Sequence, residues 1–275
     1  MAEKCRFDSR NDSRLSSARS GELPKGDTMA TITGTAGDDT MAGANSADWY
    51  FGLDGNDSIF GGNGNDTLEG GLGADTLDGG AGIDWISYKN ATSGVVALLD
   101  WPNQNGGEAA GDVYFNVENI LGSAWNDNLQ GSTGNNTIEG GLGADVLAGG
   151  GGIDTVSYIN AGAAIAVDLS TSSGSAGEAA GDILYEFENV IGSRFADTIV
   201  GTAGDNVILG RGGADYMDAG AGSDWASYET TSVASGVTVS LATGTGTQGD
   251  ANGDTLIGFE NLRGSKRADT LTGDA

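Results

Sequence analysis

The chain repeats itself every nine residues, and that period limits its possible folds more than any other feature. From Gly34 the sequence divides without gaps into GTAGDDTMA, GANSADWYF, GLDGNDSIF, GGNGNDTLE, GGLGADTLD and GGAGIDWIS, ending at Ser87. The template is G-G-x-G-x-D-x-U-x, where U is a large apolar residue. Position six is Asp39, Asp48, Asp57, Asp66, Asp75 and Asp84, and position eight is Met41, Tyr50, Ile59, Leu68, Leu77 and Ile86. Residues 122–157 add GSAWNDNLQ, GSTGNNTIE, GGLGADVLA and GGGGIDTVS. Residues 192–227 add GSRFADTIV, GTAGDNVIL, GRGGADYMD and AGAGSDWAS, and GSKRADTLT opens a further block at Gly264. A fixed short period is the mark of an architecture built by stacking.

Between the blocks lie segments that resemble one another. Residues 88–121 and 158–191 both carry Y-x-N-A near the start and G-E-A-A-G-D in the middle, and they end V-E-N-I-L and F-E-N-V-I. Residues 228–263 share the same plan more loosely. In all three the G-D aspartate precedes the E-N glutamate by six: Asp112 and Glu118, Asp182 and Glu188, Asp254 and Glu260. These acids read either as a further cation site or as a turn-and-strand signature, and the structural reading is favoured. Tyr88, Tyr158 and Tyr228, each directly after a block, read as core or capping residues. The layout is a tail over 1–33, a first block over 34–87, a spacer over 88–121, a second block over 122–157, a spacer over 158–191, a third block over 192–227, a spacer over 228–263 and the start of a fourth block over 264–275.

The nonapeptide has a direct physical reading. Glycines at positions one, two and four permit backbone angles that a Cβ disfavours, which suits a tight turn with inward carbonyls. The remaining x-U-x is long enough for one short strand with one side chain turned inward. Two units then form an 18-residue coil, and stacked coils form an all-β parallel β-roll, a right-handed β-solenoid, whose blocks are joined by β-rich spacer segments. Aspartates 18 apart fall on adjacent coils about 5 Å apart. Like charges at that distance repel by roughly 3 kcal/mol at an effective dielectric near 20. Such a column invites a divalent cation. All-oxygen donors select a hard ion, and flexible carbonyls favour Ca²⁺ over the rigidly octahedral Mg²⁺.

Composition narrows the function. The chain has no histidine, one cysteine, 50 glycines and a net charge of −27. Without histidine there is no Ser-His-Asp set and no imidazole metal site. One cysteine excludes a disulfide framework. The negative charge argues against nucleic acid, whose binding needs a basic surface, and no stretch is apolar enough to span a membrane. Collagen needs glycine at every third residue, and a flexible linker needs no apolar residue at every ninth. Residues 1–28 hold six of the 12 bases, the only cysteine (Cys5) and no periodicity, and read as a disordered tail with Met29 as the true start. Asp38, Asp54, Asp78 and Asp218 fall off position six and read as solvated surface charge.

Units such as GGNGNDTLE and GGLGADTLD resemble the repeats-in-toxin (RTX), or haemolysin-type calcium-binding, nonapeptide. The resemblance implies Ca²⁺ held between neighbouring coils by position-six side chains and turn carbonyls. It pairs Asp39 with Asp57, Asp57 with Asp75, Asp48 with Asp66 and Asp66 with Asp84. In the later blocks it pairs Asp127 with Asp145 and Asp197 with Asp215, and more weakly Asn136 with Asp154 and Asn206 with Asp224. The implied carbonyls lie near Gly52, Gly55, Gly61, Gly64, Gly70, Gly73, Gly79, Gly82, Gly140, Gly143, Gly149, Gly152, Gly210 and Gly213. That gives several ions, up to about eight. Ser46, Trp125, Phe195 and Arg267 replace the fourth-position glycine, so their units are expected to be transitions into a block.

The expected function is a non-enzymatic calcium-binding module of a secreted bacterial protein, folding when Ca²⁺ binds. Two alternatives stand beside it: an accessory region of a secreted enzyme (a protease, lipase or alginate epimerase) and a calcium-dependent glycan adhesin. Partners would be calcium ions, and extracellular glycans or a larger parent protein. By resemblance such chains leave through type I secretion. No C-terminal signal is visible, because the sequence stops inside a nonapeptide.

Overall fold

The structure is a computed structural model and describes residues 29–229 and 235–274. The tail over 1–28 therefore lies outside the described residues. Among those described there are β-strands and one-turn 3₁₀ helices and no α-helix. Each x-U-x triplet becomes a strand, and in the first block Trp49–Asp54, Ser58–Asn63, Thr67–Leu72 and Thr76–Ala81 run on through positions one to three of the next unit before turning. Within the blocks the chain changes sheet at every turn. One sheet collects alternate units in the order Thr31–Thr33, Trp49–Asp54, Thr67–Leu72, Trp85–Ser87, Asn119–Leu121, Thr137–Glu139, Thr155–Ser157, Asn189–Ile191, Val207–Leu209, Trp225–Ser227 and Asn261–Arg263. All its neighbours are parallel, and in register by 18 residues within a block, as in Thr67 opposite Trp49. The other units form a four-stranded sheet from Thr40–Ala42 to Val113–Phe115, and a twelve-stranded one beyond it. The architecture is a parallel β-roll.

Position eight supplies the core. Tyr50, Ile59, Leu68, Leu77, Ile86, Leu129, Ile138, Leu147, Val156, Ile199, Ile208, Met217 and Ala226 are all at most 1% exposed. They belong to one continuous hydrophobic cluster that runs through all the blocks. A period-nine pattern with one inward side chain per strand can bury its apolar surface only against the next coil, so the cluster is as long as the stack.

The spacers are not links between separate rolls. Asn119–Leu121 pairs with Trp85–Ser87 on one side and Thr137–Glu139 on the other, so the first spacer contributes a coil of its own. Its other strand, Val113–Phe115, stacks on Thr76–Ala81 with Tyr114 facing Leu77. The second spacer adds one detour: Ala166–Asp168, Ser173–Ala176 and Ile183–Tyr185 form an antiparallel insertion within the parallel stack. The third spacer repeats it with Thr245–Gln248. One boundary also moves. Residues 31–33, placed in the tail by sequence, form the first strand and pair with Trp49–Phe51. Ile32 lies 18 residues before Tyr50 and packs against the core, so it acts as a position-eight residue without a recognisable repeat around it.

Candidate metal centre

The parallel register brings the position-six side chains into two columns, one beside each face of the roll. Neighbours in a column are joined by one repeated hydrogen bond. The backbone N–H of a position-six residue donates to Oδ1 of the aspartate one coil later. Asp39 donates to Asp57, Asp48 to Asp66, Asp57 to Asp75 and Asp66 to Asp84, at 2.7–2.8 Å. The same bond joins Asp127 to Asp145, Asn136 to Asp154, Asp197 to Asp215 and Asn206 to Asp224. Every pair expected from sequence is thus adjacent across a coil boundary.

The second carboxylate oxygen meets one of four fates. In Asp57, Asp66, Asp75, Asp84, Asp145, Asp154, Asp215 and Asp224, Oδ2 is buried and has no hydrogen-bond partner. These eight are the later members of the eight expected pairs. In Asp39, Asp127 and Asp197, Oδ2 accepts the position-two backbone N–H of its own unit, from Thr35, Ser123 and Ser193. Ser132 and Thr202 make the same bond to Oδ1 of Asn136 and Asn206. Asp48 instead takes the hydroxyl of Ser46, the residue that replaces its fourth-position glycine. In the spacers, Oδ2 of Asp112, Asp182 and Asp254 accepts the buried hydroxyl of Tyr88, Tyr158 and Tyr228, at 2.7–2.9 Å.

Unpartnered buried carboxylate oxygens are costly, because a buried acceptor without a donor forfeits its hydration. Burial accordingly pushes the carboxyls up. Asp57, Asp84 and Asp154 rise to about 6, Asp145 to about 7 and Asp215 to about 8. Desolvation is the largest cause in each. The donated amide opposes it, and neighbouring carboxylates add to it, such as Asp182 and Asp127 beside Asp145. A bound cation supplies the counter-charge these oxygens lack.

Main-chain oxygens stand close by. A Cβ added at Gly61 would lie 2.5 Å from Asp66 Oδ2 and 2.6 Å from the Gly79 carbonyl oxygen. At Gly61 the carboxylate and the next coil's carbonyl occupy the space a side chain would fill, although Ala219 holds the first position of the unit that carries Asp224. The same two groups flank Gly52, with Asp57 and the Gly70 carbonyl. At fourth positions the coils also meet through carbonyls: Gly37 oxygen faces Gly55, Ser46 oxygen faces Gly64 and Trp125 oxygen faces Gly143. Among the described residues no three acidic side chains converge. The donor set is therefore carboxylate oxygen plus backbone carbonyl, the all-oxygen chemistry that suits Ca²⁺.

Several residues in this arrangement escape a reading of the repeats alone. Asp112, Asp182 and Asp254 stand at position six of a spacer coil, and Glu118, Glu188 and Glu260 at position six of its return. Asp75, Asp145 and Asp215 donate to those aspartates, and Asp84, Asp154 and Asp224 donate to those glutamates. Their six-residue separation is a turn shortened from nine, closed by left-handed Asn116 and Glu186. The carbonyls of those two residues reach the first-position glycines Gly79 and Gly149. In the structure these acids accept backbone amides and continue the position-six ladder through the spacers. Position five carries a second ladder. Asp38, Asn56, Asn65, Asn126, Asn135 and Asp205 accept the amide of the position-five residue one coil later. Asp38 is exposed, as the sequence reading expects, and it also holds the amide of Asn56 at 2.8 Å. The signal was available as an excess of Asn and Asp at that position.

The model of the RTX calcium-binding nonapeptide repeat matches the chain in four copies, over residues 26–59, 51–86, 121–156 and 191–226. No curated protein matches it significantly. The matched copies cover the units that contain all eight unpartnered carboxylate oxygens. By repeat, by roll and by donor chemistry, the chain is an RTX calcium-binding nonapeptide-repeat protein.

Proposed function

We propose that the chain is a folding module of a secreted protein, loaded with several Ca²⁺ ions between stacked coils and without catalytic activity of its own. Calcium binding follows from the repeat family. Its coupling to folding, the number of ions and the extracellular setting belong to this reading. The observation that carries it is the set of eight buried Oδ2 atoms without a partner. Asp57, Asp66, Asp75, Asp84, Asp145, Asp154, Asp215 and Asp224 would each offer that oxygen. The position-one and position-four carbonyls of adjacent coils would complete the shell. When bound, the ion supplies charge neutralisation and cross-links one coil to the next.

Folding and binding are then linked, because the site exists only in the stacked form. Extracellular calcium modules work at about 10⁻⁴ to 10⁻³ M, well above cytosolic levels. Such a chain stays open inside a cell and closes outside it. The test is far-UV circular dichroism of the full chain during a calcium titration. A cooperative rise of β-signal supports the coupling, and the same spectrum in excess chelator and in calcium refutes it.

A further inference from the structure

The eight open aspartates share a feature that the consensus does not specify. In each of their units the position-two residue is left-handed: Leu53 (φ 85°), Gly62 (105°), Gly71 (100°), Gly80 (95°), Gly141 (95°), Gly150 (102°), Arg211 (72°) and Gly220 (90°). No position-two amide among these bonds to its aspartate. In the closed units position two is Thr35, Ser123, Ser132, Ser193 or Thr202. None of these has a positive φ. Each amide instead donates to the position-six side chain, at 2.5–2.8 Å. The hydroxyl of the same residue adds a second bond, as from Thr35 to Asp39 at 2.9 Å and from Ser193 to Asp197 at 2.7 Å.

We infer that the conformation at position two decides which position-six residues take calcium. A left-handed residue keeps its N–H off the carboxylate and leaves Oδ2 bare. A Ser or Thr at negative φ aims an N–H and an O–H at the side chain and takes the cation's place. This inference rests on the calcium reading above and sharpens it. Asp39, Asp127 and Asp197 match the consensus at position six, and Asn136 and Asn206 stand in for its aspartate, but all five are already satisfied. They serve the stack by donating their own amides to the next coil. The calcium-binding set is then the eight open aspartates.

Leu53 and Arg211 are the informative positions, because a residue with a Cβ is disfavoured at positive φ. Leu53 is held by strand pairing opposite Gly71. Arg211 is tethered by its guanidinium, which donates to the Ile159 carbonyl at 2.6 Å. Threonine at either position restores the closed arrangement, since a β-branched residue resists φ > 0 and brings a hydroxyl. Glycine removes the strain and leaves the site open.

The experiment counts bound calcium on the full chain by equilibrium dialysis with elemental analysis, and then by calorimetric titration. Leu53→Thr and Arg211→Thr are each expected to lose one ion, and the double variant two. Leu53→Gly and Arg211→Gly are expected to keep the parent count and bind that ion about five- to ten-fold tighter. Circular dichroism in saturating calcium checks that each variant has formed the roll, and the glycine pair carries the test where a threonine variant has not. A parent that binds calcium alongside threonine variants with an unchanged count overturns the position-two rule alone. Glycine variants no tighter than the parent overturn it as well. A parent that binds no calcium overturns the calcium reading beneath it.

Discussion

Removing one hydroxyl should show how the spacers hold the stack without metal. Tyr158 is buried, and its hydroxyl donates to Asp182 Oδ2 at 2.8 Å, while Asp182 Oδ1 takes the Asp145 amide at 3.0 Å. Tyr158→Phe leaves the ring in place and strips one donor from a carboxylate that is 2% exposed. A buried acceptor left unpaired costs about 1–3 kcal/mol, and more when charged, so about 3 kcal/mol is expected. At roughly 2–4 °C per kcal/mol for a chain of this size, the melting temperature in saturating calcium should fall by roughly 6–12 °C. The first spacer provides the control. There the Tyr88 hydroxyl lies 2.5 Å from that of Tyr114, which is positioned to serve Asp112 in its absence. In the second and third spacers the residue at that place is Leu184 or Leu256. Tyr88→Phe should therefore cost only about 1 kcal/mol, roughly 2–4 °C. The Tyr158→Phe deficit should also narrow as pH falls, because burial raises the Asp182 pKa and protonation removes the unpaired charge. The assay is thermal denaturation monitored by circular dichroism. A Tyr158→Phe chain melting within about 1 °C of the parent, or a Tyr88→Phe chain harmed more, would refute the reasoning.

The same carboxylates carry two further expected outcomes. Asp145→Asn keeps Oδ1 for the Asp127 amide and replaces the bare Oδ2 with an amide group. That amide is placed to reach the Asp127 carbonyl as Asn136 reaches that of Glu118. One calcium should be lost, with a stability loss of up to about 2.7 kcal/mol where calcium stands at 100 times its Kd. Calorimetry giving the parent's ion count would contradict this. In chelator, acid should partly replace the metal. Asp57, Asp84 and Asp154 at about 6, Asp145 at about 7 and Asp215 at about 8 all lie above the ordinary carboxylate value near 3.8. Between about pH 4 and those values the folded chain holds protons that the unfolded chain does not, so folding gains as pH falls through that window. Far-UV spectra in chelator should show β-signal rising from about pH 8 to about pH 5, and a flat profile would count against it.

The repeats predict most of the fold because each strand has one inward residue, and position eight names it. Met41 to Ile86 appear at their expected places, as do the aspartates that face each other across coils. The spacers resist the same treatment. Their two strands are six residues apart where the repeat has nine, and the glutamate that replaces aspartate hides the continuity from Asp84 to Glu118 to Asn136. Ile32 is silent for a similar reason, since its register is set by Tyr50 and not by a motif. Which carboxylates remain bare is decided by a backbone angle. The consensus records glycine at position two, but only the structure reveals that Leu53 and Arg211 adopt the same conformation.

The ladder of amide-to-carboxylate bonds gives the roll a direction. Along position six every such bond runs from an N–H in the earlier coil to a carboxylate in the later one, from Ala30 to Asp48 through to Val237 to Asp269, while the position-five ladder runs the other way. A stack growing toward the C-terminus presents bare amides, which water satisfies cheaply until the next carboxylate arrives. A stack growing the other way presents position-six carboxylates, which water solvates until their donors arrive. A broken coil therefore injures both neighbours differently: the coil before it is left with bare amides, and the coil after it with carboxylates stripped of their donors, as Asp66 links Asp48 to Asp84.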